Sequence, residues 1–282
     1  MSTGALYVVA TPIGNLADIS LRALETLRMV DLVAAEDTRH SRKLLTHYDI
    51  HKPLISYHSQ NIEKRGPELM AKLLAGANLA LVTDAGTPGI SDPGSLLVRQ
   101  ALDAGLKVVS IPGPAALIAA LVVSGLPTQP FAFLGFPPSR GTGRKRFFEG
   151  HGSLPMTLIL YESPHRLQQT LKEMLTIWGN RQLAVARELT KKFEEIYRGT
   201  VTEAQQHFAG PVKGEITLVV AGAEKPEGAD PAADHWVEEL ERSLRQGKTI
   251  KEAADGVSAQ FAMSRRKVYQ MALKLKAPAN SD

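Results

Sequence analysis

The segment best equipped for chemistry is a loop of eleven residues at 84–94, with the sequence DAGTPGISDPG. Its three glycines and two prolines allow close approach to the backbone and fix the turns. This composition exceeds what a tight connection between a strand and a helix needs, so the loop is predicted to hold a polar ligand. Four of its side chains supply acceptors and hydroxyl groups: Asp84, Thr87, Ser91 and Asp92.

The same loop is a poor candidate for a phosphate site. Its glycines do not follow the order G-x-G-x-x-G, and no Walker lysine accompanies them. Its two carboxylates would repel a phosphate, whereas they suit a ribose diol or a cationic ligand. The loop therefore predicts a ligand of that second kind.

Short apolar runs that alternate with helical patterns must position this loop. Strands are predicted at 6–10, 32–35, 54–57, 79–83 and 108–111, with helices at 21–29, 68–75 and 95–104. This alternation implies parallel pairing and an α/β layer architecture. Functional groups in such sheets gather where the strands end, so we expect the site in the turns that follow them. Those turns are 11–15, 36–39, 58–61, 84–93 and 112–116.

A second series of elements follows a break rich in proline and glycine at 110–114. It contains an apolar helix that runs to Ser124, strands at 131–134, 157–161, 182–187 and 215–221, and a helix at 164–178. Four segments are therefore predicted. They are an N-terminal α/β domain (1–113), a second α/β domain (114–223), a linker rich in Pro, Gly and acids (224–233) and a basic helical domain (234–282).

Composition narrows the class of protein. The 282 residues include no cysteine, which excludes disulfides, thiolate zinc sites and a cysteine nucleophile. The longest aliphatic run, 115–123, is too short to span a bilayer, and the N-terminus shows no secretory signal pattern, so we expect a cytoplasmic protein without a membrane partner.

The positive charge of the chain is concentrated at its end. Residues 257–282 hold five cations and one acid, and their net charge of +4 equals the formal net charge of the whole chain. This tail is predicted to meet an anionic partner, with a solvated helix face as the alternative.

Five segments in combination resemble the ribosomal-RNA 2′-O-methyltransferase branch of the tetrapyrrole-methylase superfamily. They are TPIGNL (11–16), AEDTR (35–39), the loop at 84–94, IPGP (111–114) and YESPHR (161–166). The resemblance covers residues 5–222 and implies two α/β domains with S-adenosylmethionine bound in the cleft between them. It also implies a homodimer that methylates a cytidine ribose in small-subunit ribosomal RNA, within the assembled subunit.

Position within the matched motifs implies which residues contact the cofactor. Gly86, Thr87 and Pro88 stand where members that modify tetrapyrroles carry Gly-Asp-Pro, which argues against a corrin or porphyrin substrate. No metal is expected, because the histidines at 40–58 form no zincin motif. The implied cofactor contacts are Pro12, Asp84, Gly86, Thr87, Ile90, Ser91, Ala115, Ala116, Tyr161 and Leu189.

Three residues are candidates for catalysis. Methyl transfer to a ribose hydroxyl needs oxygen, carbon and sulfur in line and a group that takes the proton. Asp37 is a candidate base, and Arg39 could hold the adjacent phosphate as a fork; a structural ion pair between them is the equal alternative. Glu162 is a second candidate base, with capping of the helix before Pro164 as its alternative.

Two cationic segments are candidates for RNA contact. The first, at 139–148, is a glycine-loosened loop with four cations and two phenylalanines that are expected to face the core. The second, at 250–274, resembles a helix-turn-helix whose turn is 262–264 and whose second helix would grip phosphates. The candidate cations are Arg140, Arg144, Lys145, Arg146, Arg265, Arg266 and Lys267.

Two other functions stay open at this point. One is methylation of a small tetrapyrrole. The other is a DNA-binding regulator whose α/β body senses a nucleotide-like ligand.

Overall fold

The structure is a computed structural model that describes residues 3–224, 231–261 and 263–276. The chain forms two compact units, Met1–Ala223 and Glu224–Asp282. The boundary predicted between two α/β domains at 113 and 114 falls inside the first unit, between its two sheets. In the part of the chain that is described, no helix combines the length and the apolar character needed to cross a membrane.

The first sheet is wholly parallel, as predicted. Its strands are β1 (Ala5–Val9), β2 (Leu32–Ala35), β3 (Leu54–Ser56), β4 (Leu79–Val82) and β5 (Lys107–Ile111), in the order β3-β2-β4-β1-β5. The helices that flank it are α1 (Leu21–Met29), α2 (Thr38–His47), α3 (Ile62–Leu74) and α4 (Gly94–Asp103). Strands β2 and β4 are buried along their whole length because helices cover both faces of the sheet.

The second sheet is mixed. It contains β6 (Phe131–Phe133), β7 (Thr157–Glu162), β8 (Gln182–Arg187), β9 (Glu195–Thr200) and β10 (Ile216–Val220), in the order β6-β7-β10-β8-β9. Strands β6 and β7 are parallel, and the other neighbours are antiparallel. The accompanying helices are α5 (Ala116–Val123), α6 (Gly141–His151), α7 (Leu167–Trp178) and α8 (Val201–His207).

The second unit is helical, as predicted. Its helices are α9 (Pro231–Arg245), α10 (Ile250–Gln260) and α11 (Arg265–Lys276). They enclose a small apolar core that includes Trp236, Ala254 and Val268. Helix α9 begins at Pro231, inside the predicted linker. Proline suits the first position of a helix, because the backbone N–H that it lacks would have no partner within the helix there. Residues 225–230 of that linker and Ala262 of the predicted turn lie outside the described residues.

Candidate functional site

A cavity of about 680 Å³ lies where strands of both sheets end or begin within the first unit. Nine of the ten residues expected at the cofactor line it. Pro12 is buried beside the cavity and its neighbour Ile13 forms the lining there, so the cofactor contact of Pro12 stays a prediction. The nine are Asp84, Gly86, Thr87, Ile90, Ser91, Ala115, Ala116, Tyr161 and Leu189.

The loop after β4 is tied to the turns after β1 and β5. Thr11 and Gly86 exchange two backbone hydrogen bonds, of 2.9 and 3.0 Å. Gly86 adopts φ +83°, a conformation that side chains disfavour, and an added Cβ would touch Ile13. The Thr87 hydroxyl donates to the Pro114 carbonyl at 3.2 Å. Three strand ends are thereby held together around one opening.

Three carboxylates, Glu36, Asp84 and Asp92, form what we call the acidic wall of the cavity. Oδ1 of Asp84 accepts from the backbone N–H of Asp37 at 3.0 Å. Burial raises the pKa of Asp84; the bond from Asp37 opposes this rise and the charge of Glu36 adds to it. Burial also raises the pKa of Asp92, against the opposing bonds from the N–H groups of the loop. The acidic wall therefore favours a cationic ligand, which would relieve the repulsion among its members.

The second sheet and its loops contribute what we call the apolar wall, which is formed by Tyr161, Ala186, Leu189 and Ile216. The Tyr161 hydroxyl accepts from the backbone N–H of Leu117 at 3.3 Å, and burial raises the pKa of Tyr161. An apolar surface that faces convergent polar groups is the usual composition of a small-molecule site, and the volume lies within the usual range. The cavity can hold a ligand with one cationic and one flat apolar end.

Asp37 and Arg39 lie next to the acidic wall. The Asp37 carboxylate caps α2 by accepting from the backbone N–H of Arg39 at 2.8 Å. That bond and the charge of Arg39 hold the pKa of Asp37 below its ordinary value. The side chain of Arg39 is 92% exposed, and its Nε lies 3.9 Å from the Asp37 carboxylate. The pair is open to a large substrate.

Glu162 lines the cavity, but its carboxylate is already saturated. One oxygen accepts from Ser163 N–H at 2.8 Å and forms an ion pair with Arg166 at 2.7 Å. The other accepts from the Thr170 hydroxyl and lies 3.7 Å from Arg144. The expectation that Glu162 acts as a base is therefore corrected: this carboxylate balances two buried or half-buried guanidinium groups.

Arg144 requires a second correction. The residue is 4% exposed, and its guanidinium bonds to Glu173 at 2.5 Å, to the Thr170 hydroxyl and to the Pro138 carbonyl. The segment expected to be a loop is helical from Gly141, so Arg144 and Phe148 share the inward face of α6 one turn apart. Arg144 therefore stabilises the interior and is not available to RNA.

The other cations predicted to bind RNA are exposed. Arg140 precedes α6, and Lys145 and Arg146 lie on its outer face. In the helical unit, Arg265 forms a two-pronged ion pair with Asp255, whereas Arg266 and Lys267 are exposed.

Several residues that line the cavity were not among the predicted site residues, and two of them, Glu36 and Phe136, bear on its chemistry. Glu36 directly follows the apolar run of β2, and this position at the end of a strand could have identified it. Its carboxylate accepts from the Thr83 hydroxyl at 2.5 Å. Phe136 stands in a loop without periodicity, so no pattern pointed to it. Within the residues described, no group of three or more His, Asp or Glu is arranged to hold a metal ion.

Residues 5–205 match the family described as Tetrapyrrole (Corrin/Porphyrin) Methylases. A protein named "Ribosomal RNA small subunit methyltransferase I" from Synechocystis sp. is 48% identical over 97% of this chain and 99% of its own length. Proteins of that name from Halalkalibacterium halodurans and Mesorhizobium japonicum are 45% and 46% identical over 95% and 96% of this chain, and over 94% and 92% of their own lengths.

Solved structures share the fold at low identity. A diphthine synthase aligns with a TM-score of 0.61 at 16% identity over 77% of this chain and 90% of its own. A uroporphyrin-III-C-methyltransferase from Thermus thermophilus aligns with a TM-score of 0.56 at 21% identity over 78% of this chain and 95% of its own. The chain belongs to the tetrapyrrole methylase family and, within it, to the ribosomal RNA small subunit methyltransferase I proteins.

Proposed function

We propose that this protein transfers a methyl group from S-adenosylmethionine to the 2′-hydroxyl of a cytidine ribose in small-subunit ribosomal RNA. The observation that carries the proposal is the cavity, with its acidic wall and its apolar wall, in a chain 48% identical to a ribosomal RNA methyltransferase over nearly its full length.

The residues of the cavity fit the cofactor. The acidic wall complements a sulfonium and an ammonium group, and the apolar wall complements an adenine ring. Gly86, Ala115 and Ala116 leave the backbone accessible where larger side chains would fill the space. When bound, S-adenosylmethionine supplies an electrophilic methyl group on a positively charged sulfur.

The chain's own residues then position and deprotonate the acceptor. Arg39 holds the phosphate next to the target ribose, which aims the 2′-oxygen into the cavity. The Asp37 carboxylate would take the proton of the ribose 2′-hydroxyl, which becomes more acidic as its oxygen is methylated. Asp37 suits this role because its lowered pKa keeps it ionised, and therefore able to accept a proton, before the transfer; the proton then leaves to solvent.

Replacing Asp84 by asparagine is expected to weaken cofactor binding about 10- to 100-fold, the effect of losing one charge-assisted contact. Asparagine keeps an acceptor for the Asp37 N–H but removes the charge. Because the pKa of Asp84 is raised, wild-type affinity falls on acidification at a pH above the ordinary carboxyl value of 3.8. The affinity of Asp84→Asn is expected to change less over the same pH range, because the variant has no carboxyl group there to titrate. Titration calorimetry against pH measures both effects.

The matched control is Asp103→Asn, which alters an exposed carboxylate on α4 that pairs with Arg99. Its cofactor affinity is expected to equal that of the wild type. Equal affinity of Asp84→Asn and the wild type would remove Asp84 from the cofactor site.

The remaining features of the proposal concern the substrate and the assembly. The exposed cations Arg140, Lys145 and Arg146 and the exposed pair Arg266 and Lys267 contact RNA phosphates. The apolar residues exposed on α5 support a homodimer, since a large apolar side chain in water favours a covering partner. The substrate is the assembled small subunit, which places the protein in the cytoplasm.

One experiment tests the proposed function as a whole. Purified protein and labelled S-adenosylmethionine are mixed either with small subunits that lack the modification or with free small-subunit ribosomal RNA. Label is expected on a cytidine 2′-oxygen, mapped by nuclease digestion and mass spectrometry, and predominantly in the assembled subunit. Label on a base, or none on either substrate, would overturn the assignment.

A further inference from the structure

We propose that Phe136 is the platform on which the base of the target nucleotide stacks when its ribose enters the cavity. This assignment rests on the proposed function and names a residue that determines how the RNA substrate is held.

The ring of Phe136 occupies an unusual position for a large apolar side chain. It lines the cavity and is nevertheless 52% exposed. Its centroid lies 5.4 Å from that of Tyr161, which in turn packs at 4.8 Å against Phe133 of β6. The three rings form an aromatic column that leads from the second sheet to the cavity and ends in open ring surface.

The backbone that carries Phe136 is fixed on both sides. The Gly135 carbonyl accepts from the backbone N–H of Tyr161 at 3.0 Å. The Pro137 carbonyl accepts from Arg166 at 3.3 Å, and the Pro138 carbonyl accepts from Arg144 at 3.0 Å. The exposed ring is therefore held in place before any substrate binds, which lowers the entropy lost on stacking.

Glu162 supplies the anchor for this arrangement. Its carboxylate pairs with Arg166 at 2.7 Å and lies 3.7 Å from Arg144, so both guanidinium groups that grip the loop meet at one buried charge. Two elements of a nucleotide site, an open aromatic face and a rigid support, thus occur in one segment.

The charges that follow Phe136 indicate a polynucleotide as the occupant. Arg140, Lys145 and Arg146 are exposed within ten residues of the ring. Cations that neutralise phosphates, next to an aromatic face that accepts any base, are the combination that holds an unpaired nucleotide. We assign the flat part of the cofactor to the apolar wall, at Tyr161, Ala186, Leu189 and Ile216, and the open face of Phe136, which is not part of that wall, to the acceptor base.

The test compares Phe136→Ala with Phe136→Tyr, which keeps the ring, and with Phe131→Ala as a matched control. Phe131 is an exposed aromatic at the start of β6 that does not line the cavity. Initial rates with undermethylated small subunits give kcat/KM for the RNA, and calorimetry gives the Kd for S-adenosylmethionine. Thermal melting verifies that each variant is folded.

Phe136→Ala is expected to lower kcat/KM for the RNA about 10- to 100-fold, as for loss of one base–aromatic stack. Its cofactor Kd should stay within about twofold of the wild type, and both Phe136→Tyr and Phe131→Ala should resemble the wild type. If kcat/KM in Phe136→Ala were unchanged, or if the cofactor Kd rose by the same factor by which kcat/KM fell, Phe136 would not be the platform for the base. If the unaltered protein transfers no methyl group to RNA, the proposed function itself fails, and this assignment falls with it.

Discussion

Replacing Glu162 by alanine is expected to lower the free energy of unfolding of the first unit by about 3 kcal/mol. The Glu162 side chain is fully buried, and that of Arg144 is 5% exposed. Removing the carboxylate leaves the buried guanidinium with excess positive charge, and the Ser163 N–H and Thr170 hydroxyl lose their acceptor. Glu173 still pairs with Arg144, which keeps the loss near the lower end for a broken buried ion pair.

Urea unfolding followed by tryptophan fluorescence measures this loss. The chain has two tryptophans, one in each unit, and Trp178 packs in the same core as Phe148. A Trp236→Phe background therefore isolates the signal of the first unit. This replacement breaks no hydrogen bond within the described residues, because the Trp236 indole N–H has no partner among them.

The matched control is Glu149→Ala on the same helix as Arg144. Glu149 lies 3.5 Å from Lys145, and both side chains are at least half exposed. Loss of such an exposed pair costs about 0.5 kcal/mol or less. If Glu162→Ala were no more destabilising than Glu149→Ala, the buried network would contribute nothing to stability.

The position of the cavity was predictable because parallel strands are apolar along their whole length and end in polar turns. The bounds of β2 and β8 were predicted to the residue, and the ends of β1, β4 and β5 within one position. Carboxyl ends of parallel strands meet at one edge, so segments far apart in sequence converge there without any further information.

The elements that were missed have weak patterns of their own. Helix α2 buries only Ser41, Leu44 and Leu45, so its sequence is mostly polar and shows little of the apolar period that predicts a helix. Strand β9 lies at the edge of its sheet and is half-buried, and its pairing with β8 depends on a neighbour that local sequence does not reveal. Tertiary packing decides both elements.

The burial of Arg144 could not be predicted from the composition of its segment. Four cations stand together at 140–146, and which of them is buried depends on carboxylates more than fifteen residues away. The four-residue spacing between Arg144 and Phe148 was the one local sign of a shared inward face. Phe148 itself is buried, as the sequence predicted.

Replacing Asp37 by asparagine is expected to slow methyl transfer about 100-fold or more, the usual contribution of a positioned base. Asparagine caps a helix as well as aspartate does, so α2 and the contact from the Asp37 backbone to Asp84 are kept. What is lost is the negative charge that accepts the ribose proton. The Kd for S-adenosylmethionine should stay within about twofold of the wild type, because the Asp37 side chain does not line the cavity.

Single-turnover rates with saturating cofactor and undermethylated small subunits separate this step from binding. Asp49→Asn is the control, since it removes another exposed carboxylate just after the same helix and stands at φ +53°, which asparagine tolerates. A normal single-turnover rate in Asp37→Asn would leave Asp37 and Arg39 as a structural ion pair. A slow rate with unchanged cofactor affinity would instead support a base at the end of β2, because the step that is impaired then follows the binding of the cofactor.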